Sequence, residues 1–346
     1  MHRYLPLVVL LPVLFGSCTS REIVQSDDNW PKSLNYAYSP SSENPEARFL
    51  YYREIADYLE DAVGVPVYLF ETSGYGPVIE AMRSKKVDIA SGGSFSYMIA
   101  AEKADVEPLV TMGYQNEDGT YQHGLYYSVI AVPADSKYNS VEDLKRDAAN
   151  VTFSFSDAAS TSGHLIPRKG LEDAGITPEK DFRRVVFTQS NLNSAMTIIS
   201  GKVQAGALQE DSFYRLVEKG KVNESEIKII WRSKPIPRGP IMVRKELPRK
   251  LKEDIRSAFL EMKQRKPELY MKRFSVFSST YQPGIVYVPA YDYMWNPLRD
   301  IAVGLDNMRL IEGKKGLSDW NEEKRQAFLE QQYFGQGHDV ASLKQH

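Results

Sequence analysis

The sequence predicts an α/β protein of two lobes, each a mostly parallel sheet flanked by helices. Three observations lead there. Apolar runs rich in β-branched and aromatic residues alternate with amphipathic stretches of about ten residues, the signature of βαβ units. The 346 residues, 42% of them hydrophobic, are ample for a buried core, and that length points to two domains. The alternation also breaks twice, at the polar stretch Asn116–Gly124 and at the Pro- and Gly-rich stretch Ser233–Val243. Both breaks are expected to carry the chain between lobes.

The segment LNYAYSP reads as a strand ending at Ser39–Pro40. A helix follows, with Asn44 as N-cap, Pro45 at its first position and Gly64 as its stop. Val65–Phe70 is a short strand; GPVIEAMRSKK, VDIASG and SFSYMIAAEK continue as helix, strand, helix. EPLVTMGY and Leu125–Pro133 are two further strands. Ser140 and Asp143 make a capping-box pattern that opens the next helix. After the strand NVTFSFS, the stretch Ser156–Pro167 passes from small hydroxyl residues into a helix. The strands RRVVFTQS, QAGALQ and IKIIWRS alternate with the helices NLNSAMTIISG and DSFYRLVEKG, and from Pro248 the pattern is mainly helical. The expected division is residues 32–125 with 236–346 as the first lobe and 126–235 as the second.

The N-terminus does not belong to either lobe. A weakly basic start at Arg3 precedes an apolar run, Tyr4 to Phe15, that is too short to span a bilayer and reads as a secretory signal. Gly16 and Ser17 precede the single cysteine, Cys18. The pattern resembles a bacterial lipoprotein signal, which implies a signal peptide over residues 1–17, a lipidated Cys18 and a polar tether over 18–31. Phe15 departs from the smaller aliphatic residue usual there. The alternative is an ordinary signal cleaved nearby, with Cys18 incidental. A chain with one cysteine forms no internal disulfide, so packing must stabilise it.

A net charge of −2 leaves no electrostatic footprint for nucleic acid. No His/Cys/Asp cluster has metal-ligand spacing and no phosphate-cradling glycine loop is present, so neither metal nor cofactor is expected. The informative stretch is SDAASTSGHLIP, Ser156–Pro167. A helix start offers unpartnered backbone N–H groups and a dipole that favours negative charge. Ser160, Thr161 and Ser162 add hydroxyl donors there, and Gly163 would let a ligand oxygen approach the backbone. The alternative is a plain Ser/Thr N-cap.

Here the residues carry a resemblance. STSGHLIPRKGLEDAGI with VVFTQSNLNSAMTIISGKVQAGAL, and KVDIASGGSFSYMIAAEKADVEPL upstream, resemble the phosphate/phosphite/phosphonate-binding proteins that serve ABC transporters. The blocks occur in family order across roughly residues 33 to 265. The resemblance implies a type II periplasmic-binding fold with a two-strand hinge and a small tetrahedral oxyanion held between the lobes. It implies anion contacts from Ser160, Thr161, Ser162 and Tyr97, with Tyr75 and Tyr38 as further tyrosines; for the last two, ordinary packing is the alternative. Ser94 and Ser96 read as helix caps. Two positions depart from the family pattern: Asn191 stands where histidine is usual, and Gly239 where an aspartate is usual. Gln209, Glu210 and Asp211 are placed to reach the far end of a ligand, or, for the two acids, simply to complement a helix start. Arg238 is a possible cationic contact.

The expected function is an extracytoplasmic, lipid-anchored substrate-binding protein, monomeric, docking on a membrane permease. A ligand-sensing receptor of the same fold, or a binder of sulfonates or other organic anions, is the alternative. A hydrolase is disfavoured: GGSFSY is not a nucleophile elbow, and His164, beside the serines, has no orienting acid in sequence. His164 is expected to line or back the site.

Overall fold

The computed structural model describes residues 29–38, 45–277 and 284–304. Residues 1–28, with the leader, Cys18 and most of the tether, the N-cap Asn44 and the C-terminal tail lie outside them. The first unit opens with β1 (Leu34–Tyr38), α1 (Pro45–Val63), β2 (Val67–Glu71), α2 (Tyr75–Arg83), β3 (Ile89–Ser91), α3 (Ser94–Lys103), β4 (Val106–Gln115) and β5 (Tyr121–His123). The short strand β6 (Leu125–Tyr126) leads into the second unit, which begins with β7 (Ser128–Pro133), α4 (Val141–Arg146) and β8 (Thr152–Phe155). A π-helical turn (Thr161–Leu165) then runs into α5 (Ile166–Asp173), followed by α6 (Pro178–Asp181), β9 (Arg184–Phe187), α7 (Asn191–Ile199), β10 (Ala205–Gln209), α8 (Glu210–Glu218) and β11 (Ile227–Arg232). The chain returns through β12 (Ile236–Pro237) to β13 (Ile241–Arg244), α9 (Arg249–Leu260), α10 (Met262–Arg265), α11 (Pro267–Phe277), β14 (Ile285–Pro289) and α12 (Asn296–Gly304).

Two mixed sheets result. The first has the order β14-β4-β13-β3-β1-β2, with β5 on β4; the second has β11-β7-β10-β8-β9. Helices cover both faces of each. In α1, Tyr51, Tyr52, Ile55, Leu59 and Val63 recur at helical spacing and are buried against β1 and α9. The other face of this sheet packs on α2, α3 and α12, around Phe95, Met98 and Trp295. In the second unit, Phe153, Phe155 and Leu171 fill one face, and Val129, Ile198, Leu208 and Phe213 the other.

Four features differ from the sequence reading. The sheets are mixed, not mostly parallel: β1 is parallel to β2 and β3, and β8 to β9 and β10, but β7, β13 and β14 all pair antiparallel. Strands arriving from the other unit, or after helices that stack elsewhere, are not bound to the right-handed crossover that enforces parallel pairing. Leu125–Pro133 is two strands, because Tyr126 pairs with β12 while Ser128 onward pairs with β10. Asn116–Gly124 is the turn and return of a hairpin, β4 with β5, whose turn contains Gly119 at φ +82°. Finally, the mainly helical C-terminal part contributes β14 beside β4.

The β6–β12 pair, Leu125 with Pro237 and Tyr126 with Ile236, is where the chain passes between the sheets in both directions. Thr111 fixes this crossing by donating to the carbonyls of Arg238 and Gly239 at 3.1 and 3.0 Å.

Candidate functional site

Two helix starts from opposite units meet beside this crossing. On the first unit, Gly93 caps α3; Ser96 Oγ closes the turn by accepting from Gly93 N at 2.8 Å. On the second, Ser160 caps the π-helical turn, its Oγ accepting from Gly163 N at 3.0 Å. Between them the Phe95 amide of α3 donates to Thr161 Oγ1 at 2.9 Å, a contact that joins the units. Leu165 and Ile166, just beyond, belong to the apolar cluster of the first unit and add to the attachment. Fully buried side chains of this kind contribute about 1.5–3 kcal/mol each.

A ring of hydroxyls surrounds the meeting point. Tyr126, on β6, is buried, which pushes its phenol up; the hydroxyls of Thr161, Ser162 and Ser94 and the Arg238 guanidinium all act in the opposite direction. Ser94 Oγ donates to Pro237 O at 2.5 Å, and the Ser162 carbonyl accepts from Ser128 Oγ at 2.6 Å. Tyr126 was missed in the sequence because it lay inside what read as one continuous strand; only the pairing of β6 with β12 turns it to the crossing. Ser94 was legible only as a cap.

The predicted anion hydroxyls are thus brought to the gap between the units, but they are buried, Ser160 to 5%, Thr161 to 2% and Ser162 to 3% exposure. Ser160 is engaged in its own turn. Gly163 is explained by packing: a Cβ there would stand 1.6 Å from Ser156 Oγ, so its smallness serves the close approach of β8's end and not a ligand oxygen.

A cleft of about 610 Å³ adjoins this ring and is walled by both units. Tyr75, Gly92, Asn191, Gln209, Asp211, Arg238 and Gly239 all line it. Asn191 begins α7, and its Oδ1 accepts from Gln209 N at 3.0 Å, fixing the end of β10. The hydroxyl of Tyr75 lies by Gly93, and burial pushes it up. Arg238 donates to Asp211 at 2.7 Å and lies over the Tyr126 ring, 5.6 Å from its centroid, so the cleft and the hydroxyl ring share a wall. Gly239 cannot be aspartate in this arrangement: its Cβ would fall 2.2 Å from the Gly92 carbonyl oxygen.

Four sequence-predicted residues are placed elsewhere. The Tyr97 hydroxyl donates to Asp292 and its ring packs on Trp295, so it points into the first unit. His164 Nδ1 donates to Ala158 O at 2.8 Å, its ring packed edge-on against Phe155 and Phe187. Burial brings its pKa down to about 4. Both follow their N-cap by four residues, where a side chain turns from the helix tip toward the core. Glu210 is engaged by Arg232 through both oxygens, at 2.6 and 2.8 Å, and that guanidinium lies 3.3 Å over the Tyr127 ring. Tyr38 stacks on Tyr52 at 4.1 Å and supports the cleft wall without forming it; burial, then Glu71, pushes its phenol up to about 12.

Two α/β units joined by paired crossing strands, with a polar cleft between them, define a two-lobed binding protein of the type II periplasmic fold. A solved binding-protein component of an ABC phosphonate transporter from Pseudomonas aeruginosa shares this fold at a TM-score of 0.67 and 22% identity, over 90% of this chain and 96% of that one. The PhnD1 protein of Prochlorococcus marinus, solved in complex with methylphosphonate, superimposes at 0.66 with 19% identity, over 80% and 99%.

The chain belongs to the family described as ABC transporter, phosphonate, periplasmic substrate-binding protein, whose model matches residues 38–279. It is 30% identical over 203 residues to the phosphonates-binding periplasmic protein of Escherichia coli, a match that spans 58% of each chain. It is 25% identical over 244 residues to the phosphate-import protein PhnD of Mycolicibacterium smegmatis, covering 67% of this chain and 73% of that one.

Proposed function

We propose that this protein is the extracytoplasmic binding component of an ABC importer and takes a tetrahedral phosphorus oxyanion, a phosphonate, phosphite or phosphate, between its lobes. The observation that carries the reading is the meeting of two helix starts at Thr161 and Phe95, bonded at 2.9 Å and surrounded by the hydroxyls of Ser94, Tyr126 and Ser162. Two dipole-positive ends facing each other repel, and an anion between them turns that repulsion into attraction. The oxyanion takes over from Thr161 as acceptor for the Phe95 amide and receives the hydroxyl protons. Closure is then favoured by contacts that exist only when both lobes meet the ligand. The closed form is the one a membrane permease recognises. Cys18, lipidated, tethers the protein outside the cytoplasm.

Binding without turnover is favoured by the placement of His164, whose Nδ1 is occupied by Ala158 O and which is buried behind the hydroxyls. The test is calorimetry with inorganic phosphate, phosphite and methylphosphonate on the full chain and on the variant Thr161→Ala/Ser162→Ala. Loss of one to several kcal/mol of binding is expected, about 1.5–3 kcal/mol for each charge-assisted bond. Unchanged affinity in the double variant would remove the site.

A further inference from the structure

The cleft beside the hydroxyl ring is much larger than a small oxyanion requires. Its volume, about 610 Å³, lies within the roughly 300–1,000 Å³ of pockets that hold drug-sized ligands. Parted lobes do not explain the size, because the units already touch at the anion end. Phe95 and Thr161 are bonded at 2.9 Å, and a Cβ on Gly74 would stand 3.0 Å from Asp157 Oδ2 across the same boundary. The space is built into a joined arrangement.

Its walls have a definite chemistry. The first unit contributes Arg48, Tyr52 and Tyr287; the second contributes Asn191, Gln209 and Tyr214. Tyr52 is held flat by stacking on Tyr38, and the Arg48 guanidinium lies 5.6 Å from its ring centroid. Such faces accept apolar, aromatic or sugar-like groups, while the amides offer hydrogen bonds. The cleft's acids stand among guanidinium groups: Asp211 accepts from Arg238 at 2.7 Å, and Glu218 and Glu224 share the lining with Arg48, Arg215 and Arg273. Position 239 admits no acid, since any Cβ there meets the Gly92 backbone. A ligand ammonium two or three bonds from phosphorus would therefore meet guanidinium.

Resting on the oxyanion reading above, we propose that the cleft receives a bulky, uncharged or anionic organic substituent. The ligand is then a substituted organophosphonate or phosphate monoester, and neither inorganic phosphate nor a short aminoalkylphosphonate. Calorimetry on the full chain with inorganic phosphate, 2-aminoethylphosphonate, methylphosphonate and phenylphosphonate tests this. Phenylphosphonate should bind roughly tenfold more tightly than the other three. Tyr214, 39% exposed and so dispensable to the core, supplies the second arm. Tyr214→Ala should weaken phenylphosphonate several-fold and leave methylphosphonate unchanged, while Tyr214→Phe retains the parent affinity for both. Phenylphosphonate binding no more tightly than any one of the other three probes overturns this inference and leaves the oxyanion reading standing. Failure of all four probes to bind overturns both.

Discussion

The two helix starts that meet at the gap solve the same problem differently. α3 begins at a glycine, so its cap offers no side-chain acceptor, and the Phe95 amide is left for the other lobe. The second start begins at Ser160, which satisfies the Gly163 amide itself and leaves Thr161, the next residue, to face outward. One start exports a donor and the other exports an acceptor. Adjacent hydroxyls in one sequence motif therefore have separate duties, Ser160 to its own turn and Thr161 to the partner lobe. The residue four past each cap repeats the symmetry: Tyr97 is bonded to Asp292 and His164 to Ala158, each inside its own lobe.

That division of labour predicts graded effects. The strongest concerns His164, whose pKa falls from 6.5 to about 4 on folding, chiefly through burial. The unfolded chain binds the extra proton, so this contribution to stability is fully present above pH 6.5 and is lost as pH falls toward 4. It amounts to about 3 kcal/mol. Urea unfolding between pH 4 and 7 should show this slope, and His164→Gln should flatten it. A slope of the same size in the variant would mean that other groups carry it.

Next comes Gly163→Ala, which forces a Cβ to within 1.6 Å of Ser156 Oγ. The overpacking is expected to cost about 1–3 kcal/mol. Adding Ser156→Gly should recover part of that loss, a coupling that a purely backbone effect would not produce.

Thr161→Val keeps the packing but removes the acceptor for the Phe95 amide. A buried N–H left unsatisfied costs about 1–3 kcal/mol. Affinity for methylphosphonate should also fall by roughly tenfold, because one hydroxyl is gone. Ser160→Ala gives the smallest effect, about 1 kcal/mol of stability through a lost cap, with methylphosphonate affinity nearly unchanged. If calorimetry instead showed Ser160→Ala weakening the ligand as much as Thr161→Val, the two hydroxyls would share one role and the contrast drawn above would be wrong.

Much of the fold was legible. α3 spans Ser94–Lys103, the segment its composition marked out, and the Ser140 cap accepts from Asp143 N as the capping pattern implied. The two interruptions did flag the crossing region, although the first proved to be a hairpin that ends just before it. What stayed hidden was direction. Tyr97 and Tyr126 are both tyrosines near small hydroxyl residues, yet one is turned into a core and the other to the lobe boundary, according to helix phase and strand pairing.

Local pattern settled the element types, the small-residue helix starts and the polarity of the gap, because capping, periodicity and β-branching act over a few residues. Assembly of the lobes settled which donors meet. Thr161 and Phe95 are 66 positions apart, and the contact that excludes a side chain at Gly239 comes from Gly92, in the turn between β3 and α3. Contacts at such separation depend on how sheets and crossings bring backbones together, and no local periodicity encodes that distance.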